Sequence, residues 1–324
     1  MPLTLSPAIF IIGPTASGKT GLALKLLKHF SLEIISVDSA LVYKDMNIGT
    51  AKPSDEELKK APHRLISFLD PSQIYSAADF RNDALREMKD ITSKGNIPLL
   101  VGGTMLYYRA LEYGLSKLPV ASNIVRAGLK LKADKYGWDH LHELLKEIDP
   151  ASAERIHKND RQRIQRALEV HEITGKTITQ LQEEPQEINF PYKVLKIALI
   201  PESREWIRDL AEKRFDQMLE RGFLEEVKAL YAREDLVSNL PAIKSVGYRQ
   251  VWEYLDGKID YDEMRMRAII ATRQLAKRQM TWMRSEKNIT PFDAKGYNIE
   301  DVISNIEIFL GDGAKNRYAR SINM

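Results

Sequence analysis

The sequence predicts an α/β protein built on a parallel sheet, with an inserted all-helical domain and a helical C-terminal region. Three observations carry this expectation. Ala8–Ile12, Glu33–Val37, Ile97–Val101 and Tyr192–Ile200 are short apolar runs with strand character, and the first three alternate with stretches at helical spacing. From about residue 119 to 186 no strand-like run occurs, and apolar residues recur as they do in helices. The first run opens into a glycine-rich loop, and Leu22, Ala23, Leu26 and Leu27 follow it at helical spacing.

That loop fills every fixed position of G-x-x-x-x-G-K-[ST], with Gly13, Pro14, Thr15, Ala16, Ser17, Gly18, Lys19 and Thr20 in order. Strand, loop and helix together make it a P-loop, so the core is expected to be P-loop NTPase-like. Glycines let successive N–H groups turn inward around phosphate oxygens, and the helix start adds its positive end. Lys19 contributes a point charge, and the Thr20 hydroxyl is a candidate ligand for Mg²⁺. The bound oligophosphate is left open. Nucleotide-hydrolysing P-loops pair with an Asp at the end of a later strand, whereas Ile97–Val101 runs into Gly102-Gly103-Thr104. The motif therefore admits ATP, or the pyrophosphate of another substrate.

The second run ends at Asp38. Residues past the carboxyl ends of strands face the ligand crevice in open α/β sheets, which places Asp38 near the phosphates; its alternative role is to cap the following turn. Residues up to Pro53 read as loop. Ala77–Thr92 is a predicted helix with Phe80, Ala84, Leu85, Met88 and Ile91 on one face. A composition shift near Pro119 sets the expected boundaries: 1–118 for the first part of the core, 119–188 for the helical insertion, 189–310 for the rest of the core and 311–324 for a flexible tail. Within the insertion Asp149-Pro150 and Gly175 punctuate helices, and Asp160 is placed to cap a helix bearing Arg163 and Arg166. Those arginines suit phosphate or base contacts, or equally salt bridges within the domain.

After Tyr192–Ile200 a long helix is marked by Ile207, Leu210, Ala211, Phe215 and Met218 and ends at Gly222. Arg214 is its candidate phosphate clamp, with Arg208 and Arg221 in competition. Lys244-Ser245-Val246-Gly247-Tyr248-Arg249 reads as a basic loop. Further on, Arg273, Lys277 and Arg284 share a helical face.

Net charge is only +3, but seven Lys/Arg stand against one Glu from Met264 to Lys287, and five against one Asp from Arg155 to Arg166. Such clusters suit a polyanion larger than a triphosphate, or a solvated helix face. The absence of cysteine excludes disulfides, thiolate metal sites and cysteine nucleophiles. No run has the length of a membrane span, and the first apolar stretch lacks a preceding basic region. A cytoplasmic enzyme without a signal peptide is expected.

Several stretches together resemble the tRNA dimethylallyltransferases. They are Gly13–Thr20, Ser36–Leu41 with Asn47–Pro53, Leu99–Thr104, Asn159–Glu169, Val246–Arg249 and Thr272–Trp282, in the family's order. Lys158 departs from a frequent Pro, and the chain beyond Trp282 has no clear family pattern. The resemblance implies transfer of a dimethylallyl group from dimethylallyl diphosphate to N6 of the adenosine beside the anticodon of tRNA, with pyrophosphate released and Mg²⁺ as cofactor. It implies the P-loop as diphosphate site, Thr20 on the metal, Arg214 on the leaving group, Asp38 as general base and Thr104 on the target nucleotide. The tRNA-contacting segments fall on Asp38, Ser39, Ala40 and Leu41, on Arg126, on Gln162, Arg163, Ile164, Gln165 and Arg166, and on Lys244 to Arg249. Charge spacing adds Lys277, Arg278 and Arg284. A monomer acting on the anticodon stem-loop is expected. Two other functions compete: a P-loop nucleoside or small-metabolite kinase, and a non-catalytic RNA-binding protein with a nucleotide switch.

Overall fold

A computed structural model describes residues 5–184 and 190–311, without the side chains of Arg204 and Arg208. The expected flexible tail beyond Gly311 and the side chain of Arg208 lie outside the described residues. The chain divides into two units, Tyr113–Asn189 and the remainder on either side of it.

The larger unit begins with β1 (Ser6–Ile12), α1 (Lys19–Leu26), β2 (Leu32–Val37), α2 (Asp55–Lys60), β3 (His63–Arg64), α3 (Ala77–Ser93), β4 (Ile97–Gly102) and α4 (Met105–Tyr113). The inserted unit contributes α5 (Asn123–Tyr136), α6 (Trp138–Ile148), α7 (Pro150–Arg155), α8 (Arg161–Thr174) and α9 (Ile178–Glu183). The larger unit resumes with β5 (Tyr192–Ile200), α10 (Arg204–Glu220), α11 (Phe223–Tyr231), α12 (Tyr248–Leu255), α13 (Tyr261–Ser285), β6 (Ile289–Asp293) and α14 (Ile299–Leu310).

The strands form a parallel six-stranded sheet in the order β3-β2-β4-β1-β5-β6. Both faces are covered, which is why the strands read as unbroken apolar runs. In β1, Phe10 and Ile12 pack with Phe80, Ala84 and Met88 of α3 on one face. Ile9 and Ile11 pack with Leu22 and Leu26 of α1 and Val302 and Ile306 of α14 on the other. A third cluster joins α10, α11, α12 and α13 to Val42, Tyr43 and Met46.

Two strands escape the sequence reading for physical reasons. β3 is two residues long, too short for a period to register. β6 carries Pro291, which an edge strand tolerates because one side of it needs no ladder donor. The Lys244–Arg249 run is a turn only as far as Gly247 (φ 90°); Tyr248 already begins α12.

The inserted unit begins at Tyr113 where composition suggested 119. Its extended lead-in is tied to the helices: Ser122 N–H donates to Glu169 at 2.8 Å, and Arg166 donates to the Pro119 carbonyl at 2.7 Å. Leu129, Leu141, Leu145, Ile164 and Leu168 form its core. Asp160 caps α8 through the Arg163 N–H, Asp149 caps α7 with Pro150 in its first turn, and Gly175 ends α8 in the left-handed region. Glu169 is fully buried and ion-paired to Arg126 (2.9 Å) and Arg166 (2.7 Å).

Burial alone would raise the Glu169 carboxyl, but the bonds from Arg166, Arg126 and Ser122 outweigh it and hold it below the usual range. A depressed carboxyl stabilises the fold above its unfolded pKa of about 4.3, and that contribution disappears as pH falls through the folded value. Glu169→Gln is therefore expected to cost about 1.5–3 kcal/mol at pH 7, the range for hydrogen bonds to charged groups. Thermal unfolding between pH 7 and 3 should show this gap closing as the wild-type carboxyl protonates.

Candidate active site

The carboxyl ends of β1, β2 and β4 converge, and each delivers one part of the site. After β1 the P-loop coils tightly, with Ala16 (φ 66°) and Gly18 (φ 82°) both left-handed; alanine bears strain there that glycine does not. Gly13 has no room for a side chain, since a Cβ would lie 2.5 Å from Ser17 Oγ. That Ser17 hydroxyl is buried with no hydrogen-bond partner among the described residues. Lys19 Nζ donates to the Pro14 carbonyl at 2.7 Å. Burial pushes the Lys19 ammonium down to about 8, against the opposing pull of the Asp38 charge. An orphaned hydroxyl, a poorly solvated ammonium and a helix start without a side-chain cap together form a surface suited to an anion.

Asp38 follows β2. Its Oδ1 accepts from Ala40 N–H (2.8 Å) and Leu41 N–H (3.3 Å), so it does cap the turn. Its Oδ2 accepts no hydrogen bond among the described residues. The capping and chemical roles therefore fall on different oxygens of one carboxylate. After β4, Gly102 meets β2 so closely that a Cβ would stand 2.0 Å from the Val37 carbonyl oxygen. Thr104 N–H donates to that same carbonyl (3.2 Å), and Thr104 Oγ1 accepts from Ser39 N–H (3.1 Å).

Two adjoining cavities share these walls. One, of about 340 Å³, holds the P-loop, Asp38, Arg214 and an apolar side formed by Phe215, Met218, Val246 and Leu275. The other, of about 410 Å³, holds Asp38, Ser39, Thr104, Lys244, Arg278 and Trp282. Asp38 lines both.

Of Arg214 and Arg221, the two competing arginines with described side chains, Arg214 lines the first cavity. It donates to the Thr50 carbonyl at 3.5 Å, and burial lowers its pKa against the charge of Asp38. Arg221 is exposed and lies on a different cavity, which Arg214 also lines.

Of the anticipated RNA-contacting residues in this unit, Ser39, Ala40, Lys244, Ser245, Val246 and Arg278 line the second cavity. Lys277 and Arg278 border a separate depression on α13, while Arg249 and Arg284 are exposed. Tyr248 requires correction. It is fully buried against Phe223, and its hydroxyl donates to Glu226 at 2.6 Å, so it builds the wall instead of meeting RNA. In the inserted unit Ile164 is also a core residue with no exposed surface. Arg126 and Arg166 take the salt-bridge alternative on Glu169. Arg163 is 73% exposed with only Asp160 beside it, Gln162 is exposed, and Gln165 donates to the Arg126 carbonyl.

Two contributors were missed as site residues. Glu226 accepts from the N–H groups of Asn47, Ile48 and Gly49 and from Tyr248, shaping the loop that presents Thr50 to Arg214. Gly49 leaves no space for more, since a Cβ would lie 2.1 Å from the Phe223 ring. Gln279 of α13 bonds both to the P-loop and to Gly103. A Glu in a helix and a Gln among basic residues carry no local signal of such roles.

The P-loop, the Asp38 carboxylate and the Arg214 guanidinium line one cavity beside an apolar wall, an arrangement that suits a P-loop-core transferase. The sequence model of the IPP transferase family matches residues 41–286, most of the chain, and the chain belongs to that family. Among solved structures it is similar to a tRNA isopentenylpyrophosphate transferase from Bacillus halodurans, at 35% identity over 96% of this chain and 98% of that one, TM-score 0.69. A tRNA delta(2)-isopentenylpyrophosphate transferase from Staphylococcus epidermidis matches at 33% identity over 93% and 98%, TM-score 0.63. A eukaryotic dimethylallyltransferase acting on tRNA matches at 29% identity over 89% and 74%, TM-score 0.73.

Anion binding should report the state of Lys19. The ammonium is present below about pH 8 and lost above it, so pyrophosphate affinity, measured by calorimetry, is expected to fall as pH rises from 7 to 9. Lys19→Ala should bind weakly at both ends, and the wild-type-to-variant ratio should shrink toward pH 9.

Proposed function

We propose that this chain transfers a dimethylallyl group from dimethylallyl diphosphate to N6 of the adenosine 3′-adjacent to the anticodon of tRNA, releasing pyrophosphate. The observation that carries this reading is the position of Asp38 on the wall common to both cavities, within the charge field of Lys19 and Arg214 on one side and beside Thr104 on the other. One cavity offers phosphate donors and an apolar wall for a five-carbon chain. The second opens past a hydroxyl and cations suited to a nucleotide.

In this reading the P-loop N–H groups, Lys19 and Arg214 hold the diphosphate and meet the charge that grows on it as the C1–O bond breaks. N6 attacks C1, and Asp38 Oδ2 takes the N6 proton as the C–N bond forms. An adenine amino group is a weak nucleophile because its lone pair is delocalised into the ring. A base in contact with it contributes roughly 10²–10⁴-fold. Thr104 holds the base edge. The target nucleotide leaves its stack to enter, and phosphate contacts from exposed cations such as Arg163, Lys277 and Arg284 offset that cost.

Thr20, exposed in the first turn of α1, and the orphaned Ser17 Oγ offer hydroxyl oxygens that would suit a Mg²⁺ accompanying the diphosphate. The ion would neutralise the leaving group's charge. The reading also includes a monomeric cytoplasmic enzyme; no helix among the described residues is long and apolar enough to cross a membrane.

The test is direct: protein, Mg²⁺, dimethylallyl diphosphate and tRNA, followed by nuclease digestion and mass spectrometry. Prenylated adenosine and pyrophosphate should form without ATP; ADP formed in step with product would instead establish the kinase. Asp38→Asn keeps the capping oxygen and should bind both substrates while transfer falls by roughly two to four orders of magnitude. Retention of more than about a tenth of the rate would remove Asp38 from the base role. Arg163→Ala should leave transfer at saturating tRNA intact and reduce the log–log salt slope of tRNA binding by about 0.7–0.9.

A further inference from the structure

The side chain of Gln279 makes two hydrogen bonds that tie α13 to the P-loop and to the turn after β4, the two segments that follow the paired strands β1 and β4. Its Oε1 accepts from Thr15 N–H in the P-loop at 2.8 Å, and its Nε2 donates to the Gly103 carbonyl beside Thr104 at 3.0 Å. The two partners fix the orientation of the amide, since a backbone N–H can only donate and a carbonyl can only accept. Among the twenty side chains few have the reach and both functions. The approach is close: a Cβ on Gly103 would lie 2.4 Å from Nε2. Gln279 also lines both cavities. It lies far along α13, so the P-loop and the strand-end turn are each referenced to a third rigid element.

We propose that Gln279 is a positioning residue that sets the separation between the diphosphate held by the P-loop and the acceptor base held at Thr104. This rests on the transferase reading above. The P-loop has six other residues with donors for an anion, proline aside, so loss of Gln279 should scarcely affect diphosphate binding. What it should affect is alignment of donor carbon, N6 and Asp38, where a displacement of about 1 Å costs on the order of 10²-fold in rate.

Gln279→Met keeps length and volume without either hydrogen bond. Gln279→Glu keeps the acceptor for Thr15 but, when ionised, turns a second lone pair on the Gly103 carbonyl. When protonated, the same carboxyl accepts and donates as the amide does. Single-turnover transfer, pyrophosphate affinity and melting temperature should be measured for wild type and both variants from pH 4.5 to 8.5, a range that reaches the ordinary glutamate pKa of about 4.3. Gln279→Met is expected to lose about 10–100-fold in rate with pyrophosphate affinity within about threefold and unfolding unchanged. The ratio of Gln279→Glu to wild type should rise as pH falls, because the protonated form restores both bonds. A wild type that fails to transfer at all would defeat the transferase reading itself. An active wild type with a Gln279→Met variant at more than half its rate, or a Gln279→Glu ratio flat across pH, would overturn the positioning role alone. Should Gln279→Met not fold, the pH dependence of Gln279→Glu still decides.

Discussion

The site depends on how closely β2 and β4 approach at their carboxyl ends. Gly102 lies against the Val37 carbonyl in a space that excludes even a methyl group, and that same carbonyl accepts the Thr104 N–H. Widening this gap by one side chain would separate Asp38 from Thr104, because Ser39 N–H and Thr104 Oγ1 close the turn between them. The acceptor side of the reaction is therefore built by backbone contact, and glycine is there for proximity. The same holds at Gly13 and Gly49, where the obstacles are Ser17 and the Phe223 ring.

Around that contact, charge is arranged at a cost in solvation. Lys19 and Arg214 are both driven toward their neutral forms by burial, and Asp38 is the anion that opposes this for each. A bound diphosphate would supply far more negative charge than one carboxylate, and the cations that would meet it are already in place.

Elsewhere the molecule uses carboxylates as architecture. Glu226 collects three consecutive backbone N–H groups and a tyrosine hydroxyl, and Glu169 collects two arginines and a backbone N–H. Glu226 is half-buried, whereas Glu169 is taken out of water and hydrogen-bonded on both oxygens, the condition under which burial of a charge is tolerated. This explains why Arg166, in the basic run of α8, is turned to the interior of its unit: together with Arg126 of α5 it offsets the buried charge of Glu169.

Local chemistry alone determined a good deal here. The P-loop declares itself because phosphate binding needs its glycines, Lys19 and Thr20 consecutively in one strand-loop-helix unit. Asp38 and Gly102-Gly103-Thr104 were legible because strands in a parallel sheet end on one side, so whatever follows each strand meets there. Caps such as Asp160 and breaks such as Gly175 and Gly222 are likewise local properties of three or four residues. Tertiary structure decided everything that joins residues far apart in the chain. Tyr248 and Ile164 look like members of basic, RNA-facing runs, yet their surroundings bury them. Arg166 and Arg163 share one helix, but only Arg166 meets Glu169 and the Pro119 carbonyl, because α8 presents different sides to its neighbours. The two-residue β3 and the proline-bearing β6 exist only because a sheet edge was there to pair with. Gln279 is the extreme case: its partners lie 264 and 176 residues away, and no pattern along the chain can encode a hydrogen bond that depends on three elements being packed at once.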